Sequence, residues 1–96
     1  MDEKEVENKL VLTVKALGGM APKLVSPGFD GMPDRLVLMK GGRVGFVEVK
    51  APGKRLRPLQ EKRKRQLEAL GFSVFALDGV EQIPEILNTI QGGDEQ

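Results

Sequence analysis

The sequence predicts an α/β fold in which a mixed sheet is flanked by helices, with one more helix at the C-terminal end. Three observations carry this. Apolar residues recur at helical spacing near the start, at Val6, Leu10, Val14 and Leu17. Two β-rich runs, Arg35 to Lys40 and Arg43 to Lys50, flank Gly41-Gly42 as the arms of a hairpin. A further apolar run, Phe72 to Leu77, follows a helical stretch rather than a turn, which makes the sheet mixed.

Taken in order, Asp2 and Glu5 have the spacing of a capping box and open the first helix, which Gly18-Gly19 ends. Lys23 to Val25 is expected to form a short strand, and SPGFDGMP, residues 26–33, reads as a loop. The hairpin follows, and the loop APGKR ends its second arm. Pro58 suits the first turn of a helix running to about Leu70, with Gly71 as its stop. After the run to Leu77, Asp78 and Glu81 form a second capping-box pair for a last helix carrying Ile83, Ile86, Leu87 and Ile90. The order is α, β, β, β, α, β, α. One domain over residues 1–91 and a flexible tail over 92–96 are expected.

Composition narrows the chemistry. No apolar run is long enough to span a membrane and no signal-peptide pattern opens the chain, so a cytoplasmic protein is expected. His, Cys, Tyr and Trp are absent, which removes His bases, Cys and Tyr nucleophiles and the usual zinc sites. The only serines are Ser26 and Ser73, with no His to activate them. Any catalysis must therefore rest on carboxylates, lysine and a hard metal held through oxygen. The net charge is only +1, yet eight of the fifteen basic residues lie between Lys50 and Arg65, where Glu61 is the only acid. Such clustering suits a phosphate-binding surface, and a solvated helix face gives the same pattern. The four phenylalanines are expected in the core, which argues against base stacking.

One stretch resists a purely structural reading. In VEVK, residues 47–50, Glu48 and Lys50 interrupt a β-rich run and, two residues apart, share one face. Asp34 opens the first arm of the hairpin, and antiparallel pairing brings it to the same end. Glu7 joins them if the first helix packs across the sheet there. Converging carboxylates repel and raise one another's pKa, a cost that a divalent cation turns into attraction. Oxygen-only ligands point to Mg²⁺ or Mn²⁺, and such a site suits phosphodiester hydrolysis. Lys50 acts there by stabilising developing charge, since service as a base requires its pKa to fall from about 10.4. Singly, Glu48 and Lys50 read more readily as an ion pair and Asp34 as turn chemistry. Their joint placement beside a basic helix favours the site.

The run GMPDRLVLMKGGRVGFVEVKAPGKRLRPLQ resembles the core of the virus-type replication-repair nuclease (VRR-NUC) domain, within the PD-(D/E)xK nuclease superfamily. The motifs are Gly-x-Pro-Asp at Gly31 to Asp34, Glu48-Val49-Lys50, Leu-x-x-x-Gln from Leu56 to Gln60, and Gly71 before a strand. The resemblance spans nearly the whole chain and implies a restriction-endonuclease-like αβββαβ core. It implies that Asp34, Glu48 and the Val49 carbonyl bind metal and that Lys50 is catalytic. Glu7 would be the first-helix acid, with Glu3 and Glu5 as competitors, and Gln60 would be a helix residue facing the site. The implied function is a metal-dependent endonuclease for branched DNA, four-way junctions above all, acting as a homodimer in a bacterial or phage-infected cell. No membrane and no small-molecule substrate enters. Lys54, Arg55, Arg57, Lys62 and Arg63 are the expected DNA contacts. The alternatives are a non-catalytic DNA-binding module on the same fold, which does not need acids facing phosphate, and a structural interaction protein, which leaves the constellation unexplained.

Register decides whether the site can exist. If Gly41-Gly42 is a two-residue loop, Lys40 pairs with Arg43 and Asp34 lies opposite Val49, on the face away from Glu48. A shared metal is then hard to build. A three-residue loop through Arg43 sets Asp34 opposite Lys50 instead, but puts Arg43 in an unfavourable left-handed conformation. The alternatives are a bulge elsewhere in the hairpin, or Asp34 lying before regular pairing begins. Function therefore requires that the two-residue register not persist as far as Asp34.

Overall fold

Helix α1 (Glu3–Ala16) starts where the capping box places it. The Glu5 N–H donates to Asp2 Oδ1 at 2.9 Å and the Asp2 N–H to Glu5 Oε1 at 2.8 Å. Two otherwise orphaned donors of the first turn are thereby satisfied. The helix buries Val6, Leu10 and Val14, whereas Leu17 caps its end and stays half-exposed. The structure, a computed structural model, describes residues 1–92, so all but the first residue of the expected tail lies outside the described residues.

Three strands form the sheet: β1 (Arg35–Met39), β2 (Arg43–Val49) and β3 (Ser73–Leu77), in the order β1-β2-β3. The first pair is antiparallel and the second parallel, so the sheet is mixed. The strand expected over Lys23 to Val25 does not form. Residues 20–24 instead run beside β1 through isolated bridges at Met20–Leu38 and Lys23–Arg35. Pro22 explains the interruption, since it accepts from the Leu36 N–H at 3.0 Å but has no N–H to return.

The hairpin takes neither register set out above. Met39 lies opposite Arg43 and Arg35 opposite Val47, which leaves Lys40-Gly41-Gly42 as the loop. Gly41 and Gly42 both have positive φ, 78° and 73°, where a side chain would be strained. The extra loop residue comes from Lys40, so no non-glycine residue carries the left-handed conformation. Continued by one position, this register sets Asp34 opposite Glu48.

Helix α2 (Pro58–Ala69) connects β2 to β3 and packs along β3. Helix α3 (Ile83–Ile90) follows a 3₁₀ turn, Val80–Gln82, that the sequence reading lacked. That turn moves the capping partner by one residue. Asp78 exchanges bonds with Gln82 rather than Glu81, receiving from Gln82 Nε2 at 2.6 Å and donating its N–H to Gln82 Oε1 at 3.0 Å.

The main core lies between one face of the sheet and helices α1 and α3. Val6, Leu10 and Val14 of α1 cluster with Val37, Met39, Val47 and Val49 of the sheet and Ile83, Ile86, Leu87 and Ile90 of α3. Gly45 is part of this face, since a Cβ there would lie 2.5 Å from Ile90 Cδ1. On the other face Phe46 meets Phe72 edge-on at 5.5 Å, and Glu48 meets α2. Phe29 and Phe72 are 50% and 43% exposed, so two of the four aromatics are not core residues. No helix among the described residues is long and apolar enough to cross a membrane.

Candidate active site

Strand alternation puts Glu48 and Lys50 on the α2 side of β2, and the hairpin register puts Asp34 there with them. Glu48 is 8% exposed. Its Oε2 accepts from Gln60 Nε2 at 2.9 Å and lies 3.9 Å from Lys50 Nζ. Burial first, and then the Asp34 charge, push the Glu48 carboxyl up to about 7, against the opposing pull of Lys50. Asp34 is raised as well, chiefly by burial and further by Glu7 and Glu3, while a bond from the Val49 N–H at 3.2 Å opposes the rise. These are two carboxylates held together at a cost, with one ammonium beside them.

Gln60 is 7% exposed and bonded at both ends of its amide. Its Oε1 accepts the Arg57 N–H at 2.8 Å, which is half of a capping box, and its Nε2 holds Glu48. The same residue therefore starts α2 and fixes a carboxylate. Glu7 behaves differently. Its Oε2 accepts from Arg35 Nη2 at 2.9 Å and Nε at 3.1 Å, and Arg35 Nη1 donates to the Ala21 carbonyl at 2.7 Å. Glu7 is near enough to raise Asp34, yet it is turned to Arg35 on the α1 face. Sequence reasoning missed Arg35, whose only signal was a charge opening a strand directly after Asp34.

Among the described residues no group of three or more acidic, His or Cys side chains is gathered as a metal centre. The oxygen donors at the end of the hairpin are Asp34, Glu48 and the backbone carbonyl of Val49, whose N–H points to Asp34. Two destabilised carboxylates and oxygen-only donors fit a hard divalent ion whose other positions are filled by water. They do not fit a softer metal.

The basic residues divide. Lys54, Arg55, Arg57 and Lys62 are exposed. Arg57 lines a cleft with Asp30, Gly31, Leu59 and Gln60, the residue that bonds Glu48. The loop carrying Lys54 is tied to the end of β3 by a Gly53 N–H donation to Asp78 Oδ2 at 3.3 Å. Arg63 is turned elsewhere, stacked on Phe29 and bonded to Asp30 and Gln66.

Comparison with known proteins places the chain. The family described as the VRR-NUC domain matches residues 4–81. A protein named "Putative nuclease p44", from Acyrthosiphon pisum secondary endosymbiont phage 1, is 47% identical over 76 residues, covering 79% of this chain and 82% of that protein. A solved structure described as a VRR_NUC domain superposes with a TM-score of 0.83 at 29% identity, covering 90% of this chain and 94% of the other.

Proposed function

This chain belongs to the VRR-NUC domain family, a nuclease family, and from that premise we propose that it is a divalent-metal-dependent endonuclease of branched DNA. The observation that carries the reading is Asp34 set opposite Glu48, on one face, with Lys50 beside them.

In this reading Asp34, Glu48 and the Val49 carbonyl hold Mg²⁺ or Mn²⁺. Such an ion would polarise a phosphoryl oxygen and help a water to ionise near neutral pH, supplying hydroxide as the nucleophile for phosphorus. The protein does the rest. Gln60 keeps the Glu48 carboxylate aimed, and Lys50, an ammonium on a half-buried strand end, stabilises the charge that grows on the phosphoryl oxygens. Arg35 holds Glu7, so this acid acts on Asp34 through its field. Exposed Lys54, Arg55, Arg57 and Lys62 bind the DNA backbone, which makes recognition dependent on shape more than on sequence.

We place four-way junctions first among substrates. Resolving one takes two cuts in opposed strands, and a two-fold homodimer supplies two symmetry-related sites. The test is a panel of duplex, flap, single-stranded and four-way DNA, incubated with Mg²⁺ or Mn²⁺ and with chelator. Paired, metal-dependent cuts in the four-way substrate, made by a protein that sediments as a dimer, are expected. Cleavage undiminished in chelator contradicts the metal assignment. Junction resolution by a monomer contradicts the dimer. Changing Lys54, Arg55 and Arg57 together to Ala is expected to weaken binding and flatten its salt dependence, because fewer counterions are released.

A further inference from the structure

Asp34 stands at the end of the loop over residues 26–34, whose own backbone is held by a Phe29 N–H to Ser26 carbonyl turn at 3.1 Å and, at Asp34, by the Leu24 N–H at 2.9 Å. Helix α2 adds a hold on the middle of the loop, where connecting segments are otherwise the more mobile parts of a fold. Arg63 Nε donates to the Asp30 carbonyl at 2.8 Å, and Nη1 donates to Gln66 Oε1 at 3.0 Å. The guanidinium lies 3.8 Å over the centre of the Phe29 ring. One residue further on, Gly31 has φ of +88°, and a Cβ there would come within 2.7 Å of Leu59 Cγ and 3.1 Å of Arg63 Cγ. The loop backbone thus rests directly on α2, and only Met32 and the buried Pro33 separate this contact from Asp34. Gln60, three residues before Arg63 and so on a neighbouring position of the helix surface, holds Glu48.

We propose that Arg63 is a positioning residue: by clamping Phe29 and Asp30 to α2 it sets Asp34, so that one helix aims both carboxylates. This rests on the catalytic reading of Asp34 and Glu48 given above. It separates Arg63 from the other basic residues of the region, since its planar, directional donors are turned to the loop backbone and to Gln66. A lysine cannot reproduce both the stack and the bond to the carbonyl.

The test compares Arg63→Ala, Arg63→Lys and Phe29→Ala with the wild type on whichever DNA of the panel the wild type cuts fastest. Single-turnover rates at saturating protein report catalysis, affinity in chelator reports binding, and hydrogen exchange reports the loop. Arg63→Ala is expected to lower the rate roughly 10- to 100-fold, the scale of a small misplacement of a catalytic group. Affinity should stay within about two-fold, which a phosphate contact would not allow. Exchange should quicken over residues 26–34 and stay unchanged over 35–49. Arg63→Lys is expected not to rescue the rate. Phe29→Ala, which leaves α2 intact, should move rate and exchange the same way by a smaller factor, and it carries the test if Arg63→Ala does not fold. Weaker, less salt-dependent binding with a normal rate overturns the proposal, as does a normal rate with a loosened loop. Glu48→Ala is run beside them. If Glu48→Ala is inactive while Arg63→Ala and Phe29→Ala cut normally, only the clamp falls. If Glu48→Ala cuts like the wild type, the catalytic reading falls and the clamp loses its purpose with it.

Discussion

Val47 and Val49 on one face of β2, and Glu48 and Lys50 on the other, alternate along four consecutive residues. The valines are sealed against α1 and α3 at 0% and 1% exposure. Glu48 is nearly as buried, yet its surroundings are a glutamine, a lysine and a second carboxylate. Burial means opposite things on the two faces. On the valine face it removes apolar surface from water and stabilises the fold. On the glutamate face it desolvates a charge and opposes the fold, which is tolerable only because the first face is well packed. A strand's two-residue period lets one segment serve both ends, and a one-residue slip would exchange them.

Truncation on the apolar side should cost most. Leu87→Ala, at a fully buried α3 position, is expected to lose about 2–5 kcal/mol of stability in denaturant titration, by lost transfer energy and a cavity. An exposed-like loss below about 1 kcal/mol would show that α3 does not help to seal that face.

Neutralising the other side should stabilise. The folded Glu48 carboxyl titrates near 7 against an ordinary 4.5. Between those values the folded state keeps a proton that the unfolded state has released, so stability falls as pH rises through this window. Glu48→Gln, which can still accept from Gln60, removes that loss. In metal-free buffer it should exceed the wild type by up to roughly 3 kcal/mol at pH 8, with the advantage vanishing near pH 4.5. An advantage independent of pH would mean that Glu48 is not strained by its charge.

Gly45→Ala sharpens the contrast within the apolar face. Its Cβ would press on the Ile90 side chain, and a cost of about 1–3 kcal/mol is expected from overpacking. A neutral result would show that Ile90 moves aside freely. The smallest effect belongs to the solvent side of α2. Lys64→Ala breaks a 2.8 Å pair with Glu68 that is 30% and 43% exposed, and the expected loss is below about 1 kcal/mol.

Much of this architecture was legible in the sequence because its signals are local. The Asp2–Glu5 box, Pro58, Gly71 and the apolar spacing of α1 each act within a few residues, and each element starts or stops close to where they place it. The family and the fold class were readable from GMPD and VEVK in their hairpin context. Most of what escaped depended on partners distant in the chain, although the Pro22 interruption and the Gln82 cap act within a few residues. Adjacent glycines fit a two- or three-residue loop, and only the sheet chooses Lys40 as the third member. Pro22 turns an expected strand into isolated bridges, and a 3₁₀ turn passes the cap from Glu81 to Gln82. The Glu7–Arg35 pair spans 28 residues, and the Arg63 bond to Asp30 spans 33, so no local pattern announces them.

The charged face has a purpose only if it performs chemistry, and Lys50→Ala tests this most directly. Cleavage of a four-way junction and binding of the same junction should be measured side by side, with Mg²⁺ or Mn²⁺ in the cleavage reaction. The account predicts a loss of rate of about 10²–10³-fold, the scale of removing one group that stabilises transition-state charge. Affinity should stay within a few-fold, because Lys54, Arg55, Arg57 and Lys62 remain exposed to hold the DNA. A Lys50→Ala protein that cuts at the wild-type rate, or a wild type that binds the junction and cuts no DNA with either metal, would contradict it.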